Sequence, residues 1–556
     1  MRYLLLILIV GALACNHSPK YDTIIRKGTI YDGSGGEPYK ADIGINADTI
    51  AFIGDLENAS AKNEVNAEGK AVAPGFINMM GHSEVSLFQD GRSQSDIRQG
   101  VTTEIFTESS FAPLNPSMKD QMQKGQGDIK YPVTWNTIGE YMNTLEHKGI
   151  ACNIASFVGA GTIRQYVIGE DNKAPTPQQL DSMKILVDTA MREGALGLTC
   201  ALIYPPDNFA KTDELIALAK EASRYGGTYD SHIRSEGNQL IPAIHEIITI
   251  AKEANIPVEI CHLKAAGKDN WNKMDSVIKI VEDARKQGID VTADMYTYVA
   301  AATGLTSCFP PTLQDGGFGK LRARLQDPAV RKQMTSDMHT NATGWESMYY
   351  DCGGADNILL LAFKQDSLKK FTGKTLAEVA KMRGASPEET AMNLIVQDST
   401  RIEVAYFIMD ESNKKKEIVL PWVSFGSDEA SYTNEGVFLK SNAHPRAYGN
   451  FARVIGKYTR DEKLMSLQQA IYKLTKLPAT HLKLSNRGEL KVGNAADIVV
   501  FDAAAVRDHA TFEKPHQYAT GVTDVFVNGV QVLKNDEHTG ATPGRFLKGA
   551  GYGKNL

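Results

Sequence analysis

The sequence predicts an α/β protein: a (β/α)8 TIM barrel, a small β-sandwich domain formed from both chain ends, and an inserted subdomain before the last barrel strand. Three observations lead there. Strand-like segments with alternating character stand near both ends, at 21–72 and 485–545. Between them, over 73–484, short and nearly continuous apolar runs alternate with helical stretches, the pattern of buried parallel strands joined by crossover helices. Polar residues of chemical interest stand where several of those runs end, which in such a barrel is the active-site face.

Taken in order, the chain begins with Arg2 and an unbroken apolar and small-residue run from Leu4 to Ala14, ending at Cys15. The run is too short for the ~20 apolar residues that span a bilayer and reads as a secretory signal. Ala12-Leu13-Ala14-Cys15 resembles a bacterial lipobox, so residues 1–15 are expected to be a lipoprotein signal peptide. Cys15 then carries the only membrane anchor of an exported protein, periplasmic or on the surface of a Gram-negative-type bacterium. Tyr21 to Ile25 and Ile43 to Ile53 alternate as strands; near the far end Ala496 to Phe501 and Val522 to Val532 do the same, with a hairpin turn at Asn528-Gly529. Barrel-strand candidates are Ala71–Met80, Thr102–Thr107, Ala151–Val158, Gly197–Ile203, Gly227–His232, Val258–His262, Val291–Tyr296 and Trp422–Asp428. Helices are expected at Pro177–Glu193, Thr212–Tyr225, Gln239–Ala254 and Met274–Gln287. The runs Ile358–Phe363 and Val404–Met409 exceed the barrel count and belong to an elaboration. Residues 305–352, without strand–helix rhythm, are expected to be an insertion or lid.

Composition excludes some functions. A net charge of -6 with no Lys/Arg block gives no electrostatic footprint for nucleic acid. Of six cysteines, the five beyond Cys15 are odd in number and irregular in spacing, which is no disulfide framework. Only Cys308 and Cys352, bracketing one segment, are placed so that they could pair.

The second run ends in Glu108, the fifth in His232, the sixth in His262 and the eighth in Asp428. Two imidazoles and two carboxylates from four strands would meet at one mouth. A His2Glu set suits catalytic zinc with a position open to water, and one ion per chain is expected. Asp428 is placed to move a proton from that water to a leaving nitrogen.

At these residues the chain resembles the amidohydrolase superfamily, and within it the N-acyl-D-amino-acid deacylases (D-aminoacylases). The likeness runs through Ala73-Pro74-Gly75-Phe76-Ile77, Gln99-Gly100-Val101-Thr102-Thr103 and Leu202-Ile203-Tyr204-Pro205-Pro206. It continues through Ser231-His232-Ile233-Arg234-Ser235-Glu236-Gly237, His262-Leu263-Lys264-Ala265-Ala266-Gly267, Gly426-Ser427-Asp428, His444-Pro445-Arg446 and Ala495-Ala496-Asp497. The resemblance implies that His232 and His262 bind zinc, that Asp428 is the proton shuttle, and that Lys264, Tyr204 and Tyr296 face the substrate. It leaves His444 to orient substrate or to close a loop.

The departures are informative. Where the family has His-x-His after the first strand, this chain has Met80-Gly81-His82, leaving His82 as a possible further ligand. Glu108 or Ser109 stands for the family's zinc-binding Cys, and the fourth strand, Leu198-Thr199-Cys200-Ala201, has no Lys to bridge two metals. Ala160 replaces the His of a Gly-His-Gly. The expected function is zinc-dependent hydrolysis of an N-acyl-(D-)amino acid or small dipeptide. A dipeptidase or cyclic-amide hydrolase on the same scaffold is the alternative, because one fold hosts many chemistries; a non-catalytic binding lipoprotein is the alternative of another class.

Overall fold

The computed structural model describes residues 20–342 and 344–555, so the leading apolar run and Cys15 lie outside the described residues. Parallel strands from the middle of the chain form a six-stranded and a three-stranded sheet. Phe76–Gly81, Val101–Phe106 and Asn153–Ser156 make the smaller one; Val158–Gly159, Gly197–Ala201, Thr228–His232, Val258–Ile260, Val291–Met295 and Val423–Phe425 follow in register in the larger. Asn153–Ser156 and Val158–Gly159 are two halves of the third barrel strand, split at Phe157: one half pairs with the strand before it, the other with the strand after. The barrel closes where Gly81 bridges Glu429 in parallel and Asp428 N–H donates to the Met80 carbonyl at 2.8 Å. The first expected run, Ala71–Met80, is in fact two strands. Ala71–Pro74 joins the β domain, and Phe76–Gly81 opens the barrel after the turn at Gly75.

Crossover helices form where capping and apolar spacing require them. Pro177–Glu193 starts at a Thr176/Gln179 capping box and stops at Gly194, whose φ of 110° is left-handed. Thr212–Arg224 buries Leu215, Leu218, Ala219 and Ala222, the i, i+3, i+4, i+7 stripe of a one-faced helix.

The strands from the two ends join one nine-stranded sheet. It forks at Tyr21–Ile30: a bulge between Ile25 and Gly28 lets the first half pair with Ala61–Asn66 and the second with Ala71–Pro74. Before the last barrel strand, Ala300–Gly304, Glu403–Phe407 and Ile358–Ala362 form an antiparallel sheet with its own buried core, including Leu305, Leu321, Met338 and Tyr406. This sheet and the segment 305–352, which contains helices Phe318–Arg324 and Pro328–Asp337, make one insert over the barrel mouth. The Cys308–Cys352 pairing that the sequence allowed is not formed. Cys308 Sγ lies 3.4 Å from Tyr406 Oη and Cys352 Sγ faces the carbonyls of Tyr349 and Gly354, so each thiol already has a polar partner. No helix among the described residues is long and apolar enough to cross a membrane.

Candidate active site

Each of the four strand-end residues lies where its strand stops. His232 is the last residue of Thr228–His232, while Glu108, His262 and Asp428 come just after their strands. These last three have φ of 65°, 36° and 51°. Left-handed backbone costs a non-glycine residue about 1–2 kcal/mol, so surrounding contacts must hold it. They do: Glu108 N–H donates to Thr199 Oγ1 at 2.8 Å, His262 N–H to Asp294 Oδ1 at 3.1 Å, and Asp428 N–H closes the barrel on Met80. The turns aim three side chains inward at one point.

There Glu108 Oε1 is 2.8 Å from His232 Nδ1 and 2.7 Å from His262 Nε2, and the two imidazole rings cross at 85°. Burial works against the Glu108 carboxylate, but the two imidazoles overcome it and hold its pKa well below the usual range. Burial and the Lys264 charge oppose protonation of His262; Glu236 and Glu108 outweigh them and raise it to about 10. The ligand atoms of Glu108, His232 and His262 all lie within 4.8 Å of one another, as do those of His82, Glu108 and Asp428. Two imidazole nitrogens and a carboxylate oxygen, converging and largely buried, fit a divalent ion of the zinc type.

Glu236, quoted above only as part of a motif, stands behind both histidines. Its Oε1 is 3.0 Å from His262 Nδ1, 3.7 Å from His232 Nε2 and 2.5 Å from Lys264 Nζ. A carboxylate behind a ligating imidazole fixes the ring and raises its basicity. The signal was present in the sequence as His232 and Glu236 four residues apart. Lys264, buried, lies 2.6 Å from His262 Nδ1 and 5.5 Å from the Tyr296 ring centre.

Arg446 is the other residue missed as a site member. Its guanidinium stacks 4.3 Å from the Tyr296 ring centre and lies 2.7 Å from Asp428 Oδ2. Burial raises the Asp428 pKa, yet Arg446 and the hydrogen bond from His82 leave it lowered, so the group stays ionised. His82 does reach the site: Nε2 is 3.2 Å from Asp428 Oδ1 and 3.9 Å from Glu108 Oε2. Burial disfavours its charge, but the Asp428 hydrogen bond and the fields of Glu84, Asp428 and Glu108 raise it to about 9. Tyr204 meets His232 edge-on at 5.3 Å and bonds Thr303 Oγ1 at 2.7 Å.

His444 is not where substrate orientation would need it. It is fully buried, with Nε2 3.0 Å from the Ala300 carbonyl and Nδ1 accepting Arg446 N–H at 3.1 Å. Both ring nitrogens are occupied by backbone; burial, with Arg446 nearby, keeps the ring neutral, and its work is to set Arg446 in place. His82, Glu108, Tyr204, His232, Glu236, His262, Lys264, Tyr296, Asp428 and Arg446 line one cavity of about 960 Å³ between the barrel mouth and the insert.

The amidohydrolase family model matches residues 63–533. The chain is 32% identical to a D-aminoacylase of Alcaligenes xylosoxydans xylosoxydans, over 95% of this chain and 98% of that one. Among solved structures, a D-aminoacylase whose binuclear metal centre is described by one-metal activation and second-metal attenuation superposes with a TM-score of 0.78 at 30% identity, covering 95% of this chain and all, 100%, of that one. An N-acyl-D-glutamate deacylase of Bordetella bronchiseptica, complexed with zinc and a phosphonate mimic of the tetrahedral intermediate, gives 0.78 at 27% identity, covering 95% of this chain and 100% of that one. With the strand-end cluster, these likenesses establish that the chain belongs to the amidohydrolase family, together with the D-aminoacylases, as a metal-dependent amide hydrolase.

Proposed function

We propose that the protein hydrolyses the amide bond of N-acyl-D-amino acids with one zinc ion held by Glu108, His232 and His262. The observation that carries this reading is the pairing of that donor set with an ionised Asp428 and a cationic pocket around Tyr296. When bound, the metal supplies Lewis acidity for a water and for the amide carbonyl. Asp428 accepts the proton of the attacking water, its lowered pKa keeping it available as a base, and hands that proton to the departing nitrogen. Lys264, Arg446 and the Tyr296 hydroxyl, which has no hydrogen-bond partner among the described residues, receive the carboxylate of the amino acid. Glu236 keeps the His262 imidazole turned toward Glu108. The D configuration is supported by the deacylases that this chain is similar to.

A single ion is supported by the absence of a lysine in Gly197–Ala201 and by Met80 in place of a histidine. His82 then serves Asp428 as a hydrogen-bond partner. The apolar run ending at Cys15 supports export and lipid tethering, so the substrate is met outside the cytoplasm.

Metal analysis of wild type and Glu108→Ala, with hydrolysis of N-acetyl-D- and N-acetyl-L-amino acids, tests the reading. One zinc per chain and D-selective turnover are expected, both lost in the variant. Two ions per chain would overturn the single-metal assignment, and absence of turnover in folded, zinc-loaded protein would overturn the activity.

A further inference from the structure

Lys264, Lys364, Arg401 and Arg446 line the cavity; Lys364 Nζ donates to the Lys124 carbonyl at 3.0 Å, and two of the other three have a carboxylate beside them. Lys264 is paired with Glu236 and Arg446 with Asp428. Arg401 lines the same cavity, and no carboxylate among the described residues lies within ion-pair distance of it.

An exposed arginine is ordinarily a solvated surface group, but this one is held. It rides on a tight excursion in which Ser399 and Ile402 both have left-handed backbone, with φ of 59° and 53°. Thr400 Oγ1 ties the loop by donating to Asp398 and accepting Ile402 N–H at 3.1 Å. Arg401 Nη2 donates to Thr303 Oγ1 at 3.1 Å, and its guanidinium lies 5.6 Å from the Tyr204 ring centre. The neighbouring residue on that strand is Gly304, where a Cβ would stand 3.0 Å from both Cβ and Nε of Arg401. A glycine, two left-handed residues and a phenol thus park the guanidinium over the cavity, with one of its five N–H donors used.

The cations divide between the two histidines. Lys264 sits against His262, and Arg446 shares the Tyr296 face with it. Arg401 is reached from His232 through Tyr204. The acids Glu403 and Glu429 also line the cavity and lie in the field of Arg446.

We infer that the substrate carries a second carboxylate and that Arg401 is the residue that selects it. This rests on the hydrolase reading above, in which the Lys264 and Arg446 side takes the first carboxylate. The second belongs either to an acidic amino-acid side chain or to a dicarboxylic acyl group; both present the same planar, bidentate partner to a guanidinium.

The zinc-loaded protein would be assayed with N-acetyl-D-glutamate, N-acetyl-D-aspartate, N-acetyl-D-glutamine, N-succinyl-D-leucine and N-acetyl-D-leucine. The expected result is a kcat/KM for at least one dianion about 10- to 100-fold above its neutral counterpart, the range of one charge-assisted hydrogen-bond pair. Which dianion wins identifies the source of the carboxylate. In Arg401→Met that ratio falls to near unity, and Arg401→Lys restores part of it; a ratio is insensitive to any general loss of activity. Turnover with no preference for a dianion, or a preference surviving in Arg401→Met, overturns the inference and leaves the hydrolase reading standing. Hydrolysis of none of the five sinks the hydrolase reading and this inference with it.

Discussion

His262 shows how strongly neighbours set the state of one ring. Without a metal it is held protonated to about 10, where an unfolded histidine titrates near 6.5. A ligating imidazole must be neutral, so metal binding at neutral pH releases this proton. Raised folded pKa means that protonation competes with the metal below about 10. Affinity for zinc is therefore expected to weaken as pH falls. Calorimetry in buffers of different ionisation enthalpy reads the proton directly; a pH-independent affinity would contradict the ligand role of His262. Asp428 acts on the reaction rather than on the ion. Asp428→Asn should keep zinc and lose about 100- to 10,000-fold in kcat, the usual span for a lost general base. If zinc were lost too, Asp428 would be a ligand. Glu108, His232, His262 and Asp428 were legible because each ends an apolar run. Arg446 and Glu236 were in view as motif letters, but their contacts are made across the barrel mouth, and no spacing reveals those.

Among the elements, the last barrel strand carries the tightest constraint. Val423–Phe425 is followed by Gly426, where a Cβ would stand 2.7 Å from Met80 Cβ and 2.8 Å from Asp294 Oδ1. Two residues on, Asp428 closes the barrel through the Met80 carbonyl. Gly426→Ala must push the first strand or Asp294 aside, and Asp294 holds the His262 N–H. Overpacking of this kind costs about 1–3 kcal/mol. The variant is expected to melt lower and to lose activity beyond what its stability accounts for, checked by thermal melts beside kcat. Strand and helix placement followed the expected runs closely because both are local consequences of periodicity and capping. The division of Ala71–Met80 between two sheets was not legible: both halves are fully buried and nearly all apolar, and only the turn at Gly75 separates them.

The two ends of the chain are tied to the barrel by a buried polar knot. The Asp497 carboxylate accepts Arg487, Asn153 Nδ2 at 3.1 Å and Asn528 N–H at 2.7 Å, and Asn528 Nδ2 donates to Asn153 Oδ1 at 2.7 Å. Asn153 belongs to the third barrel strand, Asn528 to the β-domain hairpin. Asp497→Ala leaves the buried Arg487 charge without its partner and should cost about 3–5 kcal/mol of stability. Denaturant unfolding checks it; a loss below about 1 kcal/mol would mean that water reaches the guanidinium and repays the ion pair. Barrel, terminal β strands and strand-end chemistry were readable in advance because periodicity, turn residues and the alternation of runs are properties of neighbours along the chain. The fork of the β sheet, the insert's position over the mouth, the retreat of His444 into the core and the arrival of Arg446 and Arg401 at the cavity were not. Each of these depends on which distant segments pack together, and that is set by burial and backbone geometry summed over the folded chain rather than by any local pattern.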